Sequence, residues 1–319
     1  MKSHYLANLH SGDEVVNEPY LLKEVSRRTT RDGRLYLLCN FADKTAQMGG
    51  VFWDVPDYIN DWVRPGVVAL VTGRVNEYKE SLQLTATDMN PATDPDMGDF
   101  LPASRRSIDD MVAELHDLVD SLSAPWQALA RHMLLEEQAL KKLINAPAAR
   151  QMHHAYIGGL LEHTLSMAKI ANMLAGHYPF VDRDLLLTGV LLHDLGKTIE
   201  YSVAGEFNFS DDGRLVGHIV RAVTMIESAA AELGTFSADQ LRQLIHLIVS
   251  HHGKQEWGSP TVPKTIEATL LHQIDLLDSR MQGFIDHLHS NQFDNDWTVQ
   301  YSPMFREQLR RPAKYTPDS

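Results

Sequence analysis

The sequence predicts a multidomain protein, with a small all-β barrel followed by an all-helical domain. From about residue 19 to residue 90, apolar residues recur at every second position, which is the period of a half-buried strand. After Ser104 they recur with the period of a helix until about Leu288. Residues 91–104 contain three prolines and three aspartates and sustain neither period, so we interpret them as a linker.

About five strands are predicted in the N-terminal domain, residues 1–90. The alternation is clearest in Leu35–Phe41 and Val67–Val75. Turn signals separate the strands at Arg31–Gly33, Arg64–Gly66 and Tyr78–Ser81. Five strands are enough to close a small barrel of the OB type, a fold that binds oligonucleotides on one face.

Alternation along these strands predicts which side chains point into the barrel and which point outward. The predicted inward set is apolar: Leu35, Leu37, Val51, Trp53, Val67, Ala69 and Val71. The predicted outward set is aromatic or cationic: Arg34, Tyr36, Phe52, Arg74 and Tyr78. Bases stack on aromatic rings and cations follow the phosphates, so we predict that this set binds single-stranded RNA, with single-stranded DNA left open. Nine Lys/Arg and nine Asp/Glu in residues 19–90 cancel, which predicts weak binding.

Composition and charge exclude several classes of protein. A net charge of −13 argues against a protein that coats nucleic acid through an excess of Lys and Arg. No apolar stretch approaches the ~20 residues that cross a bilayer, and the first 14 residues lack the apolar core of a signal peptide, so we expect a cytoplasmic protein without a membrane partner. Because Cys39 is the only cysteine, any metal must be bound by histidines and carboxylates.

The helical domain, residues 105–296, carries a cluster of candidate metal ligands. Its strongest pattern is an apolar helix that leads into His193-Asp194, with Gly196 placed to end that helix in the left-handed conformation. A buried ionised aspartate is costly unless a cation or dense hydrogen bonding compensates it, so the pair predicts a metal ligand. Four more helices present a histidine or aspartate from an apolar face: His163, His218, His251 and Asp275. Such oxygen and nitrogen ligands suit Mn²⁺, Fe²⁺, Co²⁺ or Mg²⁺.

The order of these residues and the run Leu192–Lys197 resemble the HD-domain metal-dependent phosphohydrolases over about residues 150–290. The resemblance implies two divalent ions per chain, with Mn²⁺ favoured. One ion would be held by His163, His193, Asp194 and Asp275. The other would be held by Asp194, His218 and His251, with Asp194 bridging. Whether His252 joins or replaces His251 stays open.

Two subfamilies are disfavoured, because the chain has neither a Gly-Tyr-Pro element, as in cyclic-di-GMP phosphodiesterases, nor a Glu-Asp pair, as in guanosine tetraphosphate hydrolases. The OB-like region before the HD domain and the segment His153–Thr164 resemble the YhaM-type 3′-to-5′ exoribonucleases over nearly the whole chain. That resemblance implies a Mn²⁺- or Co²⁺-dependent enzyme that degrades single strands from the 3′ end. A hydroxide held between two ions would release 5′-mononucleotides.

Three catalytic candidates follow: Asp194, Lys197 and His154. We predict that Lys197 either neutralises a phosphate oxygen or orients the His-Asp pair. His154 either contacts the 3′-terminal phosphate, protonates the leaving group or only bonds a backbone carbonyl.

Alternative interpretations remain at the level of sequence. An HD phosphohydrolase for small nucleotides or cyclic dinucleotides could use the barrel as an interaction module. A regulatory nucleic-acid-binding protein could retain the HD site as structure alone. Residues 202–215 predict a long loop or a short hairpin, residues 297–319 a polar tail of unpredicted fold, and a homo-oligomer is left open.

Overall fold

The computed structural model describes residues 2–79, 81–150, 154–203 and 205–315. Glu80 of a predicted turn and His153 of the predicted motif lie outside these described residues. The chain divides into two units, which are Met1–Ala103 with Ser202–Asn208 and Ser104–Tyr201 with Phe209–Ser319.

The first unit contains the predicted OB-type barrel, which is confirmed. Its strands are β1 (Glu14–Thr29), β2 (Leu35–Ala42), β3 (Gln47–Phe52), β4 (Val68–Tyr78) and β5 (Ser81–Pro91). They close in the order β1-β2-β3-β5-β4, and β3 and β5 form the one parallel pair among these described strands. The long strand β1 pairs with both β2 and β4, and irregularities in its register let it bend around the barrel.

The predicted orientations of Phe52 and Trp53, at the end of β3, were wrong. Met48 and Phe52 lie in the core, and Gly50 between them accommodates the Phe41 ring, which would lie 2.3 Å from a Cβ at that position. Phe52 is 3% exposed rather than outward, whereas Trp53, predicted inward, is 48% exposed. A shift of one residue exchanges the two faces of a strand, and this apolar stretch has no polar residue to fix its register.

The second unit is helical, as predicted. Its helices are α1 (Ile108–Asp120), α2 (Trp126–Leu134), α3 (Glu137–Asn145), α4 (Gly159–His177), α5 (Arg183–Leu192), α6 (Lys197–Glu200), α7 (Asp211–Leu215), α8 (His218–Leu233), α9 (Ala238–Ser250) and α10 (Ile266–His289). The Ser107 side chain accepts a hydrogen bond from Asp110 N and so caps the start of α1. The apolar faces of the helices meet in one core. Among the described residues, we find no helix with the length and apolar character needed to cross a membrane.

The turn after α5 corrects the predicted role of Gly196. This residue has right-handed backbone angles, φ −59° and ψ −20°, so it does not form a left-handed cap. A Cβ on Gly196 would lie 2.0 Å from the His218 carbonyl oxygen. Glycine is therefore needed because the start of α8 approaches the turn closely, and that approach brings His218 next to the His193-Asp194 pair.

Two segments whose fold the sequence left open can be assigned over their described residues, and Ala204 and residues 316–319 lie outside these. The first segment forms the hairpin alternative, with strands β6 (Tyr201–Val203) and β7 (Phe207–Phe209) followed by α7. After α10 the tail forms a second short pair, β8 (Phe293–Asp294) and β9 (Trp297–Thr298). Phe305 of the tail packs against Phe284 of α10, with ring centroids 5.6 Å apart. The tail is thus anchored to the last helix.

Candidate functional site

Five elements of the helical unit bring the six predicted metal ligands into one buried cluster. His163 lies within α4 and Asp275 within α10, where their apolar neighbours pack in the core. The others lie at helix ends: His193 and Asp194 directly after α5, His218 at the start of α8 and His251 at the end of α9. The ends of these three helices meet at Asp194, since His218 Nε2 and His251 Nε2 each lie within 3.6 Å of one of its oxygens.

Asp194 is the centre of the cluster, and its two oxygens face different partners. Oδ2 lies 3.3 Å from His193 Nε2 and 3.9 Å from His163 Nε2. Oδ1 lies 3.5 Å from His218 Nε2 and 3.6 Å from His251 Nε2. Asp275 Oδ1 completes the first group, 3.5 Å from His163 Nε2. Two groups of ligand atoms therefore share one carboxylate.

The imidazole rings are oriented by hydrogen bonds on the far side of each ring. The Nδ1 partners are Asp278 Oδ2 for His163 (2.7 Å), the Val190 carbonyl for His193 (2.8 Å), Glu200 Oε1 for His218 (3.0 Å) and the Ile248 carbonyl for His251 (2.7 Å). A hydrogen bond on Nδ1 fixes the tautomer and leaves the Nε2 lone pair for a metal ion. All four Nε2 atoms consequently point toward Asp194.

The donor set fits divalent metal ions. Four buried atoms of this cluster make no hydrogen bond to the described part of the chain: His193 Nε2, His218 Nε2, His251 Nε2 and Asp194 Oδ1. A buried polar atom without a partner costs about 1–3 kcal/mol, and cations bound by the two groups of ligand atoms would give all four a partner. Ligand atoms of His163, His193 and Asp275 lie within 4.8 Å of one another, as do those of His218, His251 and His252. Imidazole and carboxylate ligands suit Mn²⁺ and its neighbours.

The electrostatics also favour a cation. Burial lowers the pKa of His251, and neighbouring His193 lowers it further, so the ring is neutral as a metal ligand must be. Burial alone would raise the pKa of Asp194, but Lys197 and His193 outweigh it and hold that pKa well below its usual value. Burial lowers the pKa of His163, yet Asp275 and Asp278 outweigh it and raise the pKa to about 9. The carboxylates of Asp275 and Asp278 therefore favour a positive charge at His163.

The two other catalytic candidates, Lys197 and His154, lie in different surroundings. Lys197 Nζ lies 2.6 Å from Asp194 Oδ2 and lines a cavity of about 620 Å³ beside the cluster, which we call the central cavity. His154 is 1% exposed and does not line this cavity as the described residues define it. Its Nε2 lies 3.1 Å from Asp278 Oδ2 and its Nδ1 2.8 Å from the Tyr156 hydroxyl, so it belongs to a buried network behind His163.

Sequence reasoning missed two acidic residues that hold the rings. Asp278 follows Asp275 by three residues and therefore shares its helix face, a spacing that was available as a signal. Glu200 lies on the short helix α6, and its approach to His218 depends on the fold of the intervening hairpin. His252, whose role stayed open, lies beside His251 and His218.

The barrel carries a separate aromatic and cationic surface. The Tyr36 and Trp53 rings stack with centroids 4.7 Å apart at 30°. Arg34 is exposed on the same unit, and its guanidinium contacts Asp32 at 2.8 Å and Asp54 at 3.2 Å. Trp53 was missed because the predicted alternation pointed it inward.

Two other predicted barrel residues lie on a different strand. Arg74 and Tyr78 are exposed on β4. Arg74 pairs with Thr85 of β5, and Thr85 pairs with Val51 of β3. Arg74 is therefore two strands away from β3, the strand that ends just before Trp53. Of the five predicted outward residues, Phe52 alone is buried.

Comparisons with known proteins match both units. An HD domain family model matches residues 160–280, and an OB-fold nucleic acid binding domain model matches residues 23–92. The chain is 35% identical over 272 residues to the 3′-5′ exoribonuclease YhaM of Geobacillus sp. (strain WCH70), covering 84% of this chain and 83% of that protein. It is 34% and 33% identical, over 277 residues each, to proteins of the same name from Bacillus velezensis and Bacillus subtilis, covering 86% of this chain and 87% of each. The predicted resemblance is confirmed.

Proposed function

This chain belongs to the YhaM family of 3′-5′ exoribonucleases, and from that premise we propose that it removes 5′-mononucleotides from the 3′ end of single-stranded RNA with divalent metal ions. The observation that carries the proposal is the buried cluster in which both oxygens of Asp194 face imidazole nitrogens. Paired metal positions with a shared carboxylate suit hydrolysis of a phosphodiester.

We assign the ligands in two sets. The first is His163, His193, Asp194 and Asp275, and the second is Asp194, His218, His251 and His252. His252 joins its neighbour rather than replacing it, because its Nδ1 donates to the Trp257 carbonyl at 3.0 Å and its ligand atom lies within 4.8 Å of the others. Divalent ions at these positions, with Mn²⁺ the first to test, supply Lewis-acid activation of water and charge stabilisation for in-line displacement at phosphorus.

Residues of the chain prepare the site for the substrate. Asp194 joins the two ligand sets, and Lys197 neutralises its carboxylate while lining the central cavity, where its ammonium can also face a phosphate oxygen. His154 acts as a positioning residue, since it contacts Asp278, which in turn holds His163.

The proposed direction follows from the products. When water attacks the last phosphodiester, the 3′ oxygen of the preceding nucleotide leaves and takes a proton. One nucleoside 5′-monophosphate is released, and a new 3′ hydroxyl is ready for the next cycle. A 3′-terminal phosphate should hinder cleavage, because it adds charge and bulk where the last nucleotide binds.

End-labelled RNA tests the direction. With Mn²⁺ and 5′-labelled RNA we expect a ladder that shortens one nucleotide at a time. With 3′-labelled RNA, labelled mononucleotide should be present at the earliest times, and an equal-length DNA strand measures the preference for RNA. Internal fragments, or mononucleotide released first from the 5′ label, would contradict the proposal, and chelation of Mn²⁺ serves as the control.

We assign strand capture to the barrel surface formed by Tyr36, Trp53 and Arg34. Trp53→Ala should weaken binding of a fluorescent single-stranded RNA by about tenfold in anisotropy titrations, because stacking of a base on an aromatic ring contributes about 1–3 kcal/mol. Tyr58→Ala is the matched control, since Tyr58 is an equally exposed aromatic residue outside the stack. Equal affinities for the two variants would remove the stack from the binding surface.

A further inference from the structure

The central cavity extends beyond the proposed metal ligands. Asp194, His251 and Asp275 form part of its wall, and Trp257 and Arg280, which have no part in the ligand sets, line it as well. Its volume of about 620 Å³ falls within the range of about 300–1,000 Å³ that is usual for small-molecule sites. The cavity therefore has room for a nucleotide next to the proposed ligands.

Arg280 gives the cavity a cationic group. It follows Asp275 by five residues on α10, which places its Cα about 7.5 Å farther along the helix axis at ~1.5 Å per residue. Among the described residues it forms no hydrogen bond or ion pair, whereas Lys197 is engaged by Asp194. A guanidinium group can bind two oxygens of a phosphate at once, so Arg280 is free to meet a phosphate that enters the cavity.

Trp257 gives the cavity an aromatic face. Its ring is 43% exposed, and its backbone carbonyl accepts the hydrogen bond from His252 Nδ1, which ties the residue to the loop that carries a proposed ligand. The Lys254 ammonium lies 4.4 Å from the ring centroid, a cation–π contact that steadies the indole. An indole face stacks on any base.

The chemistry of a strand end decides which phosphate Arg280 meets. In 3′-to-5′ cleavage the last nucleotide carries a single phosphate, the scissile one, and this phosphate must lie at the ligand cluster around Asp194. A cation more than one helical turn from Asp275 is then placed for the phosphate of the preceding nucleotide.

We infer that the central cavity is a strand-end subsite in which Arg280 binds the phosphate immediately upstream of the scissile one and Trp257 stacks on a base. This inference rests on the proposed function and deepens it, because it defines the smallest efficient substrate. That substrate is a dinucleotide with a 5′-phosphate.

Two dinucleotides that differ only in the upstream phosphate, ApA and pApA, test Arg280. Each contains one phosphodiester, so the same bond is cleaved with and without that phosphate. We expect the wild-type kcat/KM for pApA to exceed that for ApA by about tenfold, as a charge-assisted hydrogen bond would give. The ratio of kcat/KM for pApA to kcat/KM for ApA should fall to about one in Arg280→Ala. It should stay partly raised in Arg280→Lys, which keeps the charge but not the planar guanidinium. Arg242→Ala is the control, since Arg242 is exposed on α9 and pairs with Asp239.

Trp257 is tested through KM. Trp257→Ala should raise the KM for pApA by about tenfold, and Trp257→Phe should recover most of the loss because it restores an aromatic face. Phe180→Ala is the matched control, since Phe180 is a fully accessible aromatic side chain, 89% exposed, that does not line the cavity.

The outcomes separate the subsite from the proposed function. Cleavage of RNA with equal rates on ApA and pApA overturns the subsite alone, as does a preference that survives in Arg280→Ala or a KM that is unchanged in Trp257→Ala. Cleavage of long RNA without cleavage of pApA also overturns it. A wild-type protein that cleaves neither long RNA nor either dinucleotide with Mn²⁺ overturns the proposed function as well.

Discussion

Asp194→Asn should reduce phosphodiester hydrolysis by about a thousandfold or more, since loss of several kcal/mol of charge stabilisation changes the rate tenfold per ~1.36 kcal/mol. Asparagine keeps the shape of the side chain but removes its charge. It also places an amide N–H₂ where one carboxylate oxygen now faces either His193 and Lys197 or His218 and His251. Whichever way the amide turns, one ligand set loses its shared oxygen.

Three measurements define this result. Hydrolysis of bis(p-nitrophenyl) phosphate reports the chemistry without a requirement for strand binding, and elemental analysis reports metal content, for which we expect two ions per wild-type chain. Thermal unfolding shows whether the variant is folded. Asp117→Asn is the matched control, because Asp117 is an exposed carboxylate of α1. If Asp194→Asn kept both its activity and its metal content, the proposal that the Asp194 carboxylate belongs to both ligand sets would be wrong.

The clustering of the six candidate ligands could be predicted because each of these residues carries a local signal. A polar side chain such as His163 on an otherwise apolar helix face, or a His-Asp pair at the end of a buried helix, is unusual within its own segment. Gly196 also carried a signal, but its local interpretation as a helix cap was wrong, because the reason for the glycine is the His218 backbone on another helix. A close approach between distant segments leaves no mark on local periodicity.

The surroundings of the cluster could not be predicted for the same reason. The residues that line the central cavity lie between Asp194 and Met304 along the chain, and only the packing of the helices and the tail brings Trp257 and Arg280 to it. In the barrel, the apolar run that ends in Phe52 and Trp53 fits either face, so the closure of the barrel decides which ring is exposed. The six clustered residues could thus be predicted from the sequence better than the residues that orient their rings or line the cavity beside them.

Asp278 is one of those orienting residues, and Asp278→Asn should weaken Mn²⁺ binding by about 10–100-fold, the usual cost of losing such a support for a metal ligand. Its Oδ2 accepts from His163 Nδ1 at 2.7 Å and lies 3.1 Å from His154 Nε2, while Ser166 donates to Oδ1. Burial raises the pKa of Asp278, but hydrogen bonds from His154 and His163 outweigh it and keep the carboxylate ionised. An asparagine can still accept one hydrogen bond, but the uncharged amide leaves the His163 imidazole a poorer donor to a metal.

Calorimetric titration with Mn²⁺ measures this loss directly, and thermal unfolding separates it from a structural cost. A bound ion stabilises the folded protein by RT ln(1 + [Mn²⁺]/Kd), so a tenfold weaker Kd costs about 1.4 kcal/mol at saturating Mn²⁺. The gap in Tm between wild type and Asp278→Asn should therefore widen as Mn²⁺ is raised and then become constant. Glu267→Gln is the control, because Glu267 is a buried carboxylate of α10 that accepts from Asp182 N at 3.0 Å away from the cluster. Its Tm gap should be the same at every Mn²⁺ concentration, and the same behaviour in Asp278→Asn would reduce Asp278 to a packing residue.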